Sequence, residues 1–128
     1  MTIFLLMVIA NVAVPDHNAD AFISPKNPSD DEGMLDRAIM FLFGGFHHWD
    51  AQYFLHIARY GYTHENCLAF FPLYPLIIRW ISFVFNSLFG GVLSCMSAIL
   101  FTSVIFNFLC FIWTTLLLFD LSKRCLKN

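Results

Sequence analysis

Charge is scarce in this sequence. Asp, Glu, Lys and Arg make up 12% of its 128 residues, against roughly a quarter in an average globular domain. The net charge of −2 leaves no basic field of the kind that holds nucleic acid. Four cysteines, Cys67, Cys95, Cys110 and Cys125, stand far apart, which excludes a CxxC zinc site and argues against a disulfide framework. A glycine-rich phosphate loop, a GxSxG elbow, an HExxH pair and a catalytic-cysteine signature are all missing. What the chain has instead is apolar surface: 59% hydrophobic and 18% aromatic residues, with 16 phenylalanines. That excess points to lipid as the solvent of much of the molecule.

Residues 92–119 contain no Asp, Glu, Lys, Arg or His. As a helix they would reach roughly 42 Å, more than the ~30 Å hydrocarbon core requires. Asp120, Lys123, Arg124 and Lys127 follow, so residues 120–128 read as a net basic, cytosolic tail. Residues 1–14 form a second apolar stretch, short of a full span and without a preceding basic residue. Part of a first transmembrane helix and a signal-like segment both fit it. In either case residues 15–91 form a loop on the non-cytosolic side.

Within that loop, prolines and the acidic run Asp30-Asp31-Glu32 predict an exposed connection. Helices are expected at about 34–43, ended by Gly44-Gly45, at 50–60, with Asp50 as N-cap and Gly61 as terminator, and at 73–89. In residues 70–89 the polar side chains Arg79, Ser82, Asn86 and Ser87 recur at helical spacing between aromatic and aliphatic ones. This pattern fits a helix lying in the membrane interface. A crossing helix is the other reading, but it would put the basic tail on the same side as Asp50, against the positive-inside bias.

The densest chemistry lies in HHWDAQYFLHIARYGYTHENCLAFFPLYPL, residues 47–76. A carboxylate, Asp50, in so aromatic and apolar a setting needs a reason to be there. On a helix beginning at Asp50, Gln52, His56 and Arg59 would add an amide, an imidazole and a guanidinium, a set suited to a polyol or phosphorylated substrate. A bland alternative stays open: an interfacial helix whose polar groups face water and whose Trp49, Tyr53, Tyr60 and Tyr62 form an aromatic belt. The histidines 47, 48, 56 and 64 with Glu65 lack the i,i+4 pairing of a metal site, and no metal is expected.

Taken together, WD-x-x-Y-F-x-x-I-A-x-x-GY from Trp49 to Tyr62 and FFP-x-YPL from Phe70 to Leu76, with PDHNADAF at residues 15–22, resemble the GPI mannosyltransferase 2 (PIG-V) family. These are GT-C membrane glycosyltransferases. The resemblance implies an all-α integral membrane protein, with transmembrane helices and interfacial amphipathic helices in a luminal loop, forming the N-terminal part of a GT-C fold in the endoplasmic reticulum membrane.

It further implies transfer of the second mannose, α-1,6-linked, from dolichyl phosphate mannose to the GPI-anchor precursor glycolipid, with no cofactor beyond that lipid-linked donor. A β-linked donor and an α-linked product imply one inverting displacement. By position Asp50 matches the family's acidic residue in the first luminal loop and is the candidate general base. Trp49, Tyr53, His56, Arg59 and Tyr62 are candidate substrate contacts. Members of the family carry many more spans, so this chain is expected to be an N-terminal piece, inactive alone. A different class stays open: a non-catalytic membrane protein that binds partner helices through Ser94, Ser97, Ala98, Thr102 and Ser103 or regulates the complete enzyme.

Overall fold

The computed structural model describes residues 2–14, 22–25, 27 and 33–126; the acidic run 30–32 and most of PDHNADAF lie outside them. Five α-helices make up the described chain: α1 (Thr2–Ala13), α2 (Met34–Phe43), α3 (Asp50–Tyr60), α4 (Leu73–Leu88) and α5 (Cys95–Leu126), with short 3₁₀ turns at Gly44–Phe46 and Glu65–Ala69. No strand occurs among the described residues.

The centre is a three-helix contact of α3, α4 and α5, with α2 laid against α5 and α1 against α2. Leu55 and Ala58 of α3, Ile78 of α4, and Ile99 and Leu100 of α5 form the buried cluster, flanked by Ile39, Phe43 and Tyr74. Small residues let α5 approach closely: Ser97, Ala98, Thr102 and Ser103 are all buried against the chain's own helices. The residues singled out for partner helices are therefore used within the chain itself. Close approach matters because side chains surrounded by lipid gain little from leaving it, so packing has to supply the attraction.

Local chemistry explains where the helices stop and start. Pro72 caps α4 and Pro75 sits in its first turn, where a missing N–H costs nothing. The helix ends in a Schellman motif, with the Gly91 N–H donating to the Asn86 carbonyl at 2.8 Å and Gly90 at φ +68°, a conformation that only glycine adopts freely. Gly44 and Gly45 have a different role from the expected left-handed stop. Gly44 is helical, at φ −55°, and the chain continues into a 3₁₀ turn. A Cβ on Gly44 would meet Asn11 Nδ2 at 3.3 Å, and one on Gly45 would meet Met7 Cγ at 3.3 Å, so this pair lets α1 come close.

Helix α5 is 32 residues long, about 48 Å at 1.5 Å per residue, and is long and apolar enough to cross a membrane. It begins at Cys95 rather than at 92 and continues through the charged segment to Leu126. Its buried residues end at Ser103; beyond that point Phe108, Phe111, Trp113 and Leu116 are exposed. Helix α4 leaves large apolar side chains on its outward face. Ile78 and Ser82 face the protein while Trp80, Phe83 and Leu88 are 69%, 72% and 77% exposed.

Candidate functional site

Asp50 opens α3 immediately after a backbone irregularity. The Ala51 N–H donates to the His48 carbonyl at 3.2 Å, and Trp49 lies between them at φ 56°, ψ −132°. These are the dihedrals of the first central position of a II′ turn, a slot normally given to glycine. A non-glycine residue there stores about 1–3 kcal/mol. Trp49, not Asp50, is thus the N-cap residue, and its side chain is 77% exposed. The turn sets Trp49 and Asp50, both exposed, in succession at the start of α3.

Asp50 is exposed and lines a cleft of about 870 Å³ walled by residues of α1, α2, α3, α4 and α5. Phe4, Phe43, Phe54, Ile78 and Phe108 form much of the wall. Among the described residues, Asp50 is the only Asp, Glu, Lys or Arg lining it. Other polar groups on its wall are few: Ser103, Asn107 and Tyr74, with Asn107 Nδ2 donating to the Tyr74 hydroxyl at 2.8 Å. An apolar trough with one carboxylate at its edge can hold a chain-like apolar group and act as a base toward a hydroxyl brought to that edge.

The other expected contacts do not converge on Asp50. Successive residues turn by about 100°, so Gln52 and Arg59 leave α3 on sides away from it. Gln52 is buried, taking the Ser24 N–H on Oε1 at 3.3 Å and donating from Nε2 to the His47 carbonyl at 2.8 Å. His56 is 1% exposed. Its Nδ1 pairs with Ser24 Oγ at 2.9 Å and its Nε2 with Thr63 Oγ1 at 2.7 Å. His56 therefore clamps the segment before α2 and the loop after α3 onto this helix. Burial, aided by the nearby His64, holds its pKa below the ordinary 6.5.

Aromatic candidates are likewise engaged. Tyr53 stacks on Phe22 and on Phe70, each at 4.7 Å between centroids. Tyr62 is partly exposed and donates its hydroxyl to the Phe70 carbonyl at 2.7 Å. Arg59 lies over the Tyr60 ring at 4.9 Å and lines a second cleft, shared with Arg79. Of the expected set, the structure leaves Trp49 beside Asp50.

Two features escaped the sequence reading. Asn107 is a polar residue inside a long apolar run, which was a usable signal. Asp36, in an unremarkable short helix, is 2% exposed and accepts the Gly33 N–H at 2.8 Å and the Ser94 N–H at 2.9 Å. Only its spacing from Gly33, that of a capping box, hinted at the first bond.

Against known proteins, the profile of the family described as Mannosyltransferase (PIG-V) matches residues 1–128. The chain belongs to this family. It is similar to GPI mannosyltransferase 2 of Drosophila melanogaster, 37% identical over 123 residues, which are 96% of this chain and 27% of the relative. It is also similar to GPI alpha-1,6-mannosyltransferase 2 of Homo sapiens, 39% identical over 118 residues, covering 91% of this chain and 23% of the relative. A more distant PIG-V relative, GPI mannosyltransferase pigv-1 of Caenorhabditis elegans, is 29% identical over 123 residues, covering 88% of this chain and 18% of that protein. The chain thus spans about a quarter of the length of its PIG-V relatives. No solved structure matches.

Proposed function

We propose that this chain is the part of an endoplasmic reticulum PIG-V mannosyltransferase that supplies the catalytic base and one wall of the lipid-donor groove. The protein carrying it transfers α-1,6-linked mannose from dolichyl phosphate mannose to the GPI-anchor precursor, on the luminal side of the membrane. The observation that carries this reading is the placement of Asp50, among the described residues the sole Asp, Glu, Lys or Arg on the wall of an apolar cleft, next to the strained and exposed Trp49. Family membership supplies the reaction class.

In this reading the dolichyl chain lies along the phenylalanine wall and presents its mannosyl phosphate at the cleft mouth. The Asp50 carboxylate accepts the proton of the acceptor's 6-hydroxyl as that oxygen attacks the anomeric carbon from the face opposite the phosphate. One displacement converts the β linkage to α, and dolichyl phosphate leaves as an anion that needs no strong acid. Trp49 offers an aromatic surface to a sugar ring at the same edge. Helix α5 crosses the bilayer, and the outward apolar faces of α4 and α5 meet lipid or further helices.

The test is mannose transfer itself. Microsomes whose only PIG-V protein is the full-length protein containing this sequence are given labelled dolichyl phosphate mannose and a GPI precursor bearing one mannose. A product with a second, α-1,6-linked mannose is expected. Absence of label from the glycolipid, with the protein inserted, would overturn the reading.

A further inference from the structure

Asn107 carries the only amide side chain between residues 92 and 119, and it lines the same cleft as Asp50. From its bonding and its place on α5 we infer that Asn107 is a specificity-determining contact to a sugar hydroxyl in that cleft, with Tyr74 positioning its amide. This rests on the transferase reading and adds to it the residue that reads the sugar.

With α5 across the bilayer, Asn107 stands 13 residues before Asp120, about 20 Å along the helix and so within a hydrocarbon core of ~30 Å. A polar group at that depth faces the protein or a polar path and marks a substrate route. Ser103, one turn earlier on the same face, is buried against the chain's own helices, so the amide continues the protein-facing side of α5 to where the cleft opens. There Nδ2 donates one N–H to the Tyr74 hydroxyl at 2.8 Å, which ties the amide to α4. Its Oδ1 and its second N–H have no partner among the described residues. An interhelical bond accounts for the first N–H alone.

The remaining pair selects the ligand. One acceptor beside one donor matches a hydroxyl, which both gives and takes a hydrogen bond. The phosphodiester of a lipid-linked sugar offers acceptors only and would set oxygen against Oδ1. Among the described residues this wall has no Lys or Arg to hold that phosphate, and Ser103 commits its hydrogen to the Leu100 carbonyl at 2.7 Å. Donor and acceptor both carry a mannose, so the hydroxyl comes from one of these two rings.

The test uses microsomes carrying the full-length protein, with donors whose mannose lacks one hydroxyl at a time and acceptors whose mannose lacks one hydroxyl other than the attacking 6-hydroxyl. In the natural protein one of these analogues is expected to lower kcat/KM at least tenfold, because a site built to bond a hydroxyl rejects the analogue without it. In Asn107→Leu, close in size and suited to a span, that penalty is expected to shrink to about twofold, while Tyr74→Phe keeps part of it. The series in which the penalty shrinks identifies donor or acceptor as the source. A packing role would slow every substrate alike, so an unchanged penalty for each analogue in Asn107→Leu overturns the inference, as does the absence of any penalised analogue. Should Asn107→Leu fail to insert, Asn107→Ser is read by the same ratio. No transfer from the natural donor to the natural acceptor by the natural protein overturns the transferase reading itself, and this inference with it.

Discussion

The Asp36 carboxylate accepts the Ser94 N–H at 2.9 Å across 58 positions of sequence, joining the start of α2 to the start of α5. Its other oxygen accepts the Gly33 N–H at 2.8 Å. Burial by itself pushes this carboxyl up, but hydrogen bonds from Ser97, Ser94 and Gly33 outweigh it and hold the pKa below 3.8. Asp36→Ala leaves two N–H groups without their acceptor and is expected to cost about 2 kcal/mol. Because the folded-state pKa is depressed, the stabilisation is complete above pH 3.8 and is lost as pH falls below it, through the folded value. Thermal unfolding in detergent across acidic pH should show this decline in the natural protein and a shallower one in Asp36→Asn.

His56 predicts a second acid-sensitive step. It is held neutral between Ser24 and Thr63, with His64 Nδ1 3.3 Å from its Nε2 and the Tyr60 ring beside it. With its folded-state pKa lowered from 6.5, protonation favours the unfolded chain. Stability is full above pH 6.5 and falls as pH drops through the folded value. Unfolding followed at pH 7.5 and 5.5 should show a lower midpoint at the acid pH. His56→Asn should be less stable by about 1–3 kcal/mol at pH 7.5, with most of the difference between the two pH values removed.

Trp49 reverses an ordinary ranking. Glycine usually costs about 0.5–1 kcal/mol relative to alanine, but at φ 56° only glycine is unstrained. Trp49→Gly should therefore be more stable than Trp49→Ala by about 1 kcal/mol in denaturant or thermal unfolding. Both variants of the full-length protein should transfer mannose more slowly, since both remove the indole beside Asp50.

Much of the helical layout was legible because its punctuation is local. Gly61, the Pro72/Pro75 pair and the long uncharged run mark α3, α4 and α5 by backbone chemistry that needs no partner. Which side chains face inward was less legible. Helical spacing grouped Gln52, His56 and Arg59 with Asp50. In the structure Ser24 draws two of them inward, and α4 claims the third for another cleft. Contacts between residues 28 to 58 positions apart, such as Ser24 with Gln52 and Asp36 with Ser94, leave no periodic trace. The glycines at 44 and 45 look like a helix stop in sequence, but their reason is tertiary, the approach of Met7 and Asn11.

The decisive measurement is mannose transfer by Asp50→Asn in the full-length protein, assayed in microsomes with labelled dolichyl phosphate mannose. This substitution keeps the shape of the cleft edge and removes the base. If Asp50 takes the acceptor's proton, transfer falls by at least 10²-fold, membrane insertion and donor binding persist, and Asp50→Glu recovers part of the rate. Transfer at the natural rate by Asp50→Asn would contradict the assignment of Asp50 as the base.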